Sequence, residues 1–272
     1  MTGRRYTARS SDPHELYEKS VQDPEPDVQL LTRHFKRVRG RKPLALREDF
    51  CGTAIFCAAW IASDRRRTAI GIDLDRTTMT SGQRRHFQPA NSKGADLARM
   101  SFRRADVLAL RPPAVPRTDV IVAFNFSWCV FQQRAMLLRY FRRAHAGLEQ
   151  DGLFALDIHG GPDSLATTKD ERRMGGFTYV WDQGALDPIT HRSIRRIHFE
   201  FPDGSRLRDV YRYDWRVWML PETREALLEA GFRRVEVLWE QFDRHGEGNG
   251  IFRRTEHAVN EDSWVAYLLA WR

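Results

Sequence analysis

Short apolar strands that run into polar or small residues recur along the first part of this chain. The first strand, Leu44–Arg47, leads into the turn EDFCGT at Glu48–Thr53, and later apolar stretches end at Asp73, Asp106 and Asn125. Helical segments lie between these stretches, and such alternation favours a parallel sheet with right-handed crossovers. Because parallel strands all end at the same edge of a sheet, we expect these polar residues to line one ligand-binding edge.

The first two strand ends have the spacing of a nucleoside site. Asp73 follows Glu48 by 25 residues, with a small-residue turn and a predicted helix between them. Such a turn lets the backbone approach a ligand closely, and a carboxylate at the end of the next strand accepts both ribose hydroxyls. A dehydrogenase would show a fuller Gly-x-Gly-x-x-Gly turn, which this chain lacks, but a nucleotide-binding sheet of another kind remains an alternative.

Outside Leu44–Ile158, the predicted elements no longer alternate between apolar strand and helix. Helices are predicted at His14–Val21, Asp27–Val38 and Glu222–Ala230, and strands at Phe177–Trp181, Ser193–Phe201, Arg206–Trp218, Val235–Phe242 and Trp264–Trp271. Residues 1–11 are expected to be disordered, and Pro89–Asp96 and Gly246–Gly250 to be loops. We therefore predict an N-terminal helical cap at residues 1–40 and one domain at 41–272, with an inserted antiparallel sheet at about 175–218.

The turn and the strand ends resemble those of class I S-adenosylmethionine-dependent methyltransferases. The first motif of that family is an acid, one residue, and Gly-x-Gly-x-Gly; Glu48 matches the acid and Gly52 the central glycine, while Phe50 and Ala54 replace the outer glycines. The likeness covers Leu44–Ile158 and the last two strands. It implies an α/β fold with a doubly wound, seven-stranded, mostly parallel Rossmann-like methyltransferase sheet, here with an inserted antiparallel sheet.

The same resemblance implies S-adenosylmethionine as the cofactor and assigns its binding residues. Glu48 would engage the methionine ammonium, and Asp73 would accept the two ribose hydroxyls. The backbone against the cofactor would be that of Phe50, Cys51, Gly52 and Thr53.

The remaining cofactor contacts follow from the later strand ends. Leu74 would lie against the adenine, Asp106 would meet its amino group, and Val107 would meet its ring. Asn125 and Phe126, at the end of the fourth strand, would lie beside the methionine portion.

Three features bear on the methyl acceptor. Tyr17 lies on an N-terminal helix that closes over the cofactor in related enzymes, so it is either a lid residue or an ordinary packing residue. His159 follows the predicted strand Gly152–Ile158 and is either a catalytic general base or a hydrogen-bonding loop residue. Several aromatic residues of the inserted sheet would line the acceptor pocket, a local core or a dimer contact: Tyr179, Trp181, Tyr211, Tyr213, Trp215 and Trp218.

The charge and the motifs argue against a nucleic-acid substrate. The formal net charge is +8, but the arginines are dispersed along the chain instead of forming one cluster. Asn125-Phe126-Ser127-Trp128 lacks the prolines of amino-methylating nucleic-acid enzymes, and Cys129 lacks the setting of a pyrimidine-C5 nucleophile. We predict methyl transfer to a nitrogen or oxygen of a small molecule. An RNA methyltransferase and a non-catalytic cofactor-binding scaffold are the alternatives.

Composition suggests where the protein works and what it binds. The three cysteines lack CxxC spacing and are expected to be reduced thiols of a cytoplasmic protein. No apolar run approaches the ~20 residues of a membrane span, so no membrane partner is expected. No cluster of His, Cys and Asp has metal-ligand spacing, so no metal is expected. A homodimer is left open.

Overall fold

A computed structural model of the chain describes residues 6–88, 95–243 and 248–272. Its helices are α1 Pro13–Val21, α2 Pro24–Arg39, α3 Ile55–Ser63, α4 Arg76–His86, α5 Arg134–Gly147 and α6 Leu220–Glu229. Its strands are β1 Ala45–Asp49, β2 Thr68–Asp73, β3 Phe87–Gln88, β4 Ala95–Asp96, β5 Met100–Arg104, β6 Thr118–Ala123, β7 Leu148–Gly160, β8 Thr168–Arg173, β9 Thr178–Gln183, β10 Arg192–Glu200, β11 Arg206–Arg216, β12 Arg234–Phe242, β13 Gly248–Thr255 and β14 Trp264–Trp271.

The main sheet has the strand order β13-β12-β14-β7-β6-β1-β2-β5. The five strands from β7 to β5 are parallel to one another, and β14 runs antiparallel between β7 and β12. The prediction of an α/β fold with a doubly wound, mostly parallel sheet is confirmed. The described sheet has eight strands instead of seven, because Gly248–Thr255 pairs antiparallel with β12.

Side chains of the central strand β6 alternate between two hydrophobic cores. Val120 and Val122 pack with α2 and α3 on one face, whereas Ile121 and Ala123 pack with α5 and α6 on the other. All four residues are fully buried. An apolar strand that is buried on both faces is typical of a parallel sheet covered by helices, so the helical layers leave the ends of the strands as the open edge.

The start of α2 differs from its prediction at Asp27. The helix begins at Pro24, because proline is tolerated in the first turn, where its missing N–H would have no intrahelical partner. It ends at Arg39, one residue beyond the predicted Val38. Gly40 after it is left-handed, with a φ of 69°, and its N–H donates to the Lys36 carbonyl at 2.9 Å. The early start places Asp27 in the helix proper.

The second sheet has the order β11-β10-β9-β8 and is inserted after β7. Its edge strand β8 was not predicted, because its sequence TKDERR has no apolar residue and almost all of it is exposed. Strand β13 was also missed, since the predicted loop at Gly246–Gly250 includes its first three residues. Gly246 and Glu247 lie outside the described residues, as do residues 89–94 of the other predicted loop.

The N-terminal segment packs against the second sheet. The Tyr6 ring lies 5.4 Å from the Phe177 ring, and the Ala8 N–H donates to the Ser205 hydroxyl at 3.0 Å. The expectation of disorder for residues 1–11 was therefore wrong for the described residues from Tyr6 onward. Residues 1–5 lie outside the described ranges.

Candidate active site

The turn after β1 has a glycine-like backbone at three positions, only one of which is glycine. Phe50, Gly52 and Ala54 have φ angles of 60°, 52° and 57°. These are the positions that the resemblance assigned to the three glycines of the motif. A left-handed φ costs a non-glycine residue roughly 1–2 kcal/mol, and such strain concentrates at functional turns. The chain thus keeps the backbone path of the motif although two of its residues carry side chains.

Close packing holds this turn against the neighbouring elements. Cys51 is buried, and its N–H donates to the Ile72 carbonyl of β2 at 2.9 Å. A Cβ atom at Gly82 would lie 1.9 Å from the Thr53 carbonyl oxygen, so only glycine allows α4 to approach this closely. Cys51 and Thr53 can therefore contact a ligand mainly through their backbone atoms.

The residue at the end of β2 is bonded to the same turn. One carboxylate oxygen of Asp73 accepts the Gly52 N–H at 2.8 Å, and the other accepts the Asp75 N–H at 2.9 Å. Asp73 is half-buried, and the adjacent Leu74 side chain is 64% exposed. An apolar side chain this exposed beside a carboxylate fits the predicted adenosine surface.

Asp106 and Val107 follow β5, which is the neighbour of β2 in the sheet. The Asp106 carboxylate is exposed and accepts the Leu108 N–H at 2.9 Å. Val107 is only 5% exposed and lies in the core cluster that includes Ile72. The carboxylate is accessible to an adenine amino group, whereas the Val107 side chain faces the protein interior; the predicted roles of both residues stay predictions.

Glu48 is a buried carboxylate without a positive partner. It is 7% exposed, and its Oε2 accepts the Cys57 N–H at 3.1 Å. Burial raises the pKa of Glu48 to about 8, which the hydrogen bond from Cys57 opposes only in part. Among the described residues, none forms an ion pair with Glu48. A ligand ammonium at this position would stabilise the ionised carboxylate.

A second buried carboxylate, Asp157 of β7, fixes the end of β6 and was missed from the sequence. Its two oxygens accept the N–H groups of Asn125 at 2.7 Å and of Phe126 at 2.9 Å. Both of these residues are left-handed, with φ angles of 56° and 55°. Burial raises the pKa of Asp157 to about 7. An acid inside the apolar stretch LFALDIHG was the signal that could have revealed it.

A cavity of about 950 Å³ opens at the carboxyl edge of the sheet. It is lined by five of the predicted site residues: Tyr17, Glu48, Asn125, Phe126 and His159. The other predicted residues lie outside its lining: Phe50, Cys51, Gly52, Thr53, Asp73, Leu74, Asp106 and Val107. The structure therefore brings the predicted methionine and acceptor residues together around one cavity, and leaves the predicted adenosine residues beyond it.

The second sheet supplies an aromatic wall of this cavity. Tyr179, Trp181 and Tyr213 line it, whereas Trp215 and Trp218 are buried in the main core. The rings of Tyr213 and Trp215 stack with centroids 4.5 Å apart. Of the six aromatic residues, three therefore line the pocket and two pack in the main core. The sixth, Tyr211, packs against the local core of the second sheet, with its ring 4.7 Å from the Tyr17 ring.

His159 is half-buried in the cavity wall as a neutral ring. Its ring is 4.7 Å from the Phe126 ring, in an edge-to-face arrangement. Burial, followed by the positive charge of Arg195, lowers the pKa of His159 to about 3. The imidazole can accept a hydrogen bond but does not hold an additional proton near neutral pH, and its predicted role as a general base stays a prediction.

No family model matches the sequence, and no curated protein matches it. Solved structures do match along nearly the whole chain. An S-adenosylmethionine-dependent methyltransferase from Clostridium acetobutylicum aligns at 14% identity and a TM-score of 0.67, covering 94% of this chain and 96% of that one. The chain has the class I methyltransferase fold.

Two further structures with this methyltransferase fold have more specific descriptions. CalS10, an amino pentose methyltransferase from Micromonospora echinaspora with S-adenosylmethionine bound, aligns at 14% identity and a TM-score of 0.62, covering 93% of this chain and 94% of that one. The sugar N-methyltransferase KedS8 from a Streptoalloteichus species aligns at 15% identity and a TM-score of 0.62, covering 98% of this chain and 95% of that one. At such identities the likeness establishes the fold.

In this methyltransferase fold the cavity lies where the strand order reverses. The chain proceeds outward from β1 to β2 and β5 on one side, and from β6 to β7 on the other. Glu48 is the last residue but one of β1 at that point, and Asn125 follows β6. Open α/β sheets bind ligands at such switch points, which agrees with the cavity's position.

In the described ranges, no three His, Cys, Asp or Glu side chains are grouped to hold a metal ion. Each helix in those ranges falls short of the length and apolarity that a membrane crossing requires.

Proposed function

We propose that the protein transfers a methyl group from S-adenosylmethionine to a nitrogen or oxygen of a small-molecule acceptor. The observation that carries this proposal is the left-handed turn at Phe50, Gly52 and Ala54, bonded to Asp73 at the switch point of a methyltransferase fold. The cofactor fits this site on one further ground. Glu48 is a buried carboxylate without a cationic partner in the described structure, and the cofactor carries an ammonium group.

The chain's own residues would bind the cofactor, and their contribution to the reaction would be to align it with the acceptor. Asp73 would hold the ribose hydroxyls, Glu48 the ammonium, and the Gly52 turn the backbone contacts. When bound, S-adenosylmethionine supplies a methyl group activated by a sulfonium. An unprotonated acceptor atom held beside that methyl group would take it up, and the cofactor would leave as S-adenosylhomocysteine. The protein's task is to align the two groups and exclude water, and the aromatic wall of the cavity serves both purposes.

The cavity supports a small acceptor over RNA. Its charged lining side chains in the described chain are one arginine, Arg172, and six carboxylates: Asp23, Asp27, Glu48, Asp157, Asp163 and Asp170. Nucleic-acid binding depends on cationic side chains that neutralise phosphates. An acidic lining would instead repel the phosphates. The descriptions of CalS10 and KedS8, which name amino pentose and sugar N-methylation, agree with a small acceptor.

We further propose that residues 1–40 act as a cap on a methyltransferase domain at 41–272. Tyr17 of α1 lines the cavity. The neighbouring Glu18 joins α1 to α4, since its carboxylate contacts Arg85 at 2.5 Å and His86 at 2.8 Å. Tyr17 would then exclude water from the methyl group.

The proposal is tested by binding and turnover with the purified full-length protein. Calorimetry should show that S-adenosylmethionine and S-adenosylhomocysteine bind one site per chain. A panel of metabolite amines and hydroxyl compounds should then include acceptors that release S-adenosylhomocysteine. Failure of both nucleosides to bind would overturn the proposal. Binding without turnover on the panel, and turnover on RNA alone, would overturn its acceptor class.

A further inference from the structure

Asp27 and Tyr267 meet in the cavity although 240 residues separate them in sequence. The Tyr267 hydroxyl of β14 donates to Asp27 Oδ1 at 2.5 Å. The Tyr267 ring lies between two others in edge-to-face contact, with centroid distances of 5.4 Å to Phe124 and 4.6 Å to Phe252. These four residues, Asp27, Phe124, Phe252 and Tyr267, all line the cavity and are called the Asp27 subsite below.

The Asp27 carboxylate lacks a compensating positive charge. Within residues 6–88, 95–243 and 248–272 it forms no ion pair, and Tyr267 is its single hydrogen-bond donor. Burial raises the pKa of Asp27 to about 6, so the group is still largely ionised at neutral pH. Asp27 is half-buried. Partial removal of a carboxylate from water without a positive partner is costly, and a bound cation would offset that cost.

The positive charge on the lining of the cavity is already engaged. Arg172 contacts the Asp170 carboxylate at 3.7 Å, and its guanidinium lies 4.6 Å from the centre of the Tyr179 ring. His159, the other basic side chain of the described lining, is a neutral ring. A positive group at the Asp27 subsite must therefore come from a ligand.

The two buried carboxylates of the lining have different tasks. Both Asp157 oxygens accept backbone N–H groups at the end of β6, and Glu48 lies near the end of β1, before the cofactor turn. Asp27 projects from α2, which is not part of the sheet edge. Of these three carboxylates, it is the one left for a second ligand.

Strand β13 completes the subsite and lies outside the seven-stranded pattern. It contributes Phe252, and its first residues are held to β12 by the Gly250 N–H, which donates to Glu240 Oε1 at 3.0 Å. Aromatic faces attract cations, with a preference for alkylated ammonium groups. A carboxylate beside three aromatic rings is therefore suited to an organic ammonium ion.

We propose that the acceptor carries an ammonium group, and that the Asp27 subsite binds it through the Asp27 carboxylate and the rings of Phe252 and Tyr267. The identity of this ligand as the methyl acceptor rests on the proposed function; cation binding at the subsite does not. Asp27 is thus a specificity residue that selects amines over neutral alcohols.

The test compares two probes of the same shape, choline and its uncharged carbon analogue 3,3-dimethyl-1-butanol. Each is titrated into the full-length protein with S-adenosylhomocysteine present, and binding is followed by calorimetry and ligand-observed NMR. We expect choline to bind about tenfold more tightly than the alcohol, which corresponds to ~1.4 kcal/mol. Asp27→Asn should reduce the two affinities to near equality.

Asp170→Asn is the matched control, because it removes a cavity carboxylate that already has Arg172 as its partner. This variant should keep the preference for choline. Equal binding of the two probes to the wild-type protein, or no choline binding at millimolar concentration, would overturn the inference even if a variant failed to fold. Loss of S-adenosylhomocysteine binding instead contradicts the proposed function, so the two failures are distinguishable.

Discussion

The Asp73 carboxylate accepts the Gly52 N–H at 2.8 Å and so joins the end of β2 to the turn after β1. The residue predicted to hold the ribose therefore also fixes the backbone predicted to lie against the cofactor. A substitution that removes both contacts would weaken cofactor binding and destabilise the turn at the same time, so the two effects could not be distinguished. The two roles can be separated, because the turn needs only an acceptor oxygen whereas the ribose contact also uses the negative charge.

Asp73→Asn keeps an acceptor oxygen for the Gly52 N–H, removes the charge, and exchanges the oxygen that accepts the Asp75 N–H for an amide nitrogen. We expect the affinity for S-adenosylhomocysteine to fall by about 1–3 kcal/mol, since hydrogen bonds to charged groups are the stronger ones. Calorimetry measures this change, with the melting temperature as a check on folding. Asp64→Asn is the control: Asp64 lies after α3 and pairs with Arg66 and Lys42, so its loss should leave the affinity unchanged. Unchanged affinity in a folded Asp73→Asn protein would contradict the ribose role.

Ala54→Gly tests the strained turn. Ala54 and Ala58 are both buried alanines at α3, but Ala54 is left-handed whereas Ala58 is helical. Replacement of Ala58 by glycine should lower the free energy of unfolding by about 1–2 kcal/mol, through lost helix propensity and a lost methyl group. Ala54→Gly also loses a methyl group but relieves a backbone cost of roughly 1–2 kcal/mol. In urea denaturation, the free energy of unfolding of Ala54→Gly should therefore be at least ~1 kcal/mol higher than that of Ala58→Gly. Equal free energies of unfolding would contradict the strain at Ala54.

Glu48 makes cofactor binding depend on pH. Burial raises its pKa to about 8 in the free protein, so the side chain is mostly protonated at pH 7. A ligand ammonium beside it favours the ionised form, so binding should release a proton and become tighter as the pH rises from 6 to 8. Calorimetry of S-adenosylhomocysteine in buffers with different ionisation enthalpies measures the released proton.

Glu48→Gln is the control for this proton release, because glutamine keeps the shape and an acceptor oxygen for the Cys57 N–H. The variant should bind S-adenosylhomocysteine more weakly than the wild type and should release markedly fewer protons on binding. The same proton release in wild type and variant would show that another group releases the proton. It would contradict the proposal that Glu48 binds the cofactor's ammonium group.

The parts of the site that local sequence could predict are the strand ends and the turn. Asp73 ends β2 as predicted, whereas β1 runs two residues beyond its predicted end at Arg47, so Glu48 is its last residue but one. The order of the two residues along the chain determines their position at the sheet edge. Phe50 and Ala54 were aligned to glycine positions, and the structure gives both a glycine-like φ. These features depend on neighbouring residues, and their signal is therefore present in a short window.

Contacts between distant segments left no such signal. Asp27 faces Tyr267 only because α2 and β14 pack at the same cavity, and in the sequence Asp27 is one of several acids at the start of a helix. Strand β8 has the polar pattern of a surface loop, and it forms a strand because β9 offers it a free edge. Asp157 could have been suspected, since an acid in an apolar strand requires a partner, but its partners are backbone N–H groups that no residue type identifies.

His159 is where the predicted chemistry and the observed electrostatics can be tested together. Burial and Arg195 lower its pKa to about 3, so NMR of the ring nitrogens should find it neutral from pH 5 to pH 8. If the neutral ring accepts a proton or a hydrogen bond from the acceptor, His159→Phe should slow turnover about 100-fold while leaving the affinity for S-adenosylhomocysteine unchanged. His159→Gln, which keeps an acceptor atom, should recover part of that rate. Wild-type turnover by the Phe variant would show that the ring only packs against Phe126. A ring that titrates near pH 6.5 would instead show that burial and Arg195 do not hold it neutral.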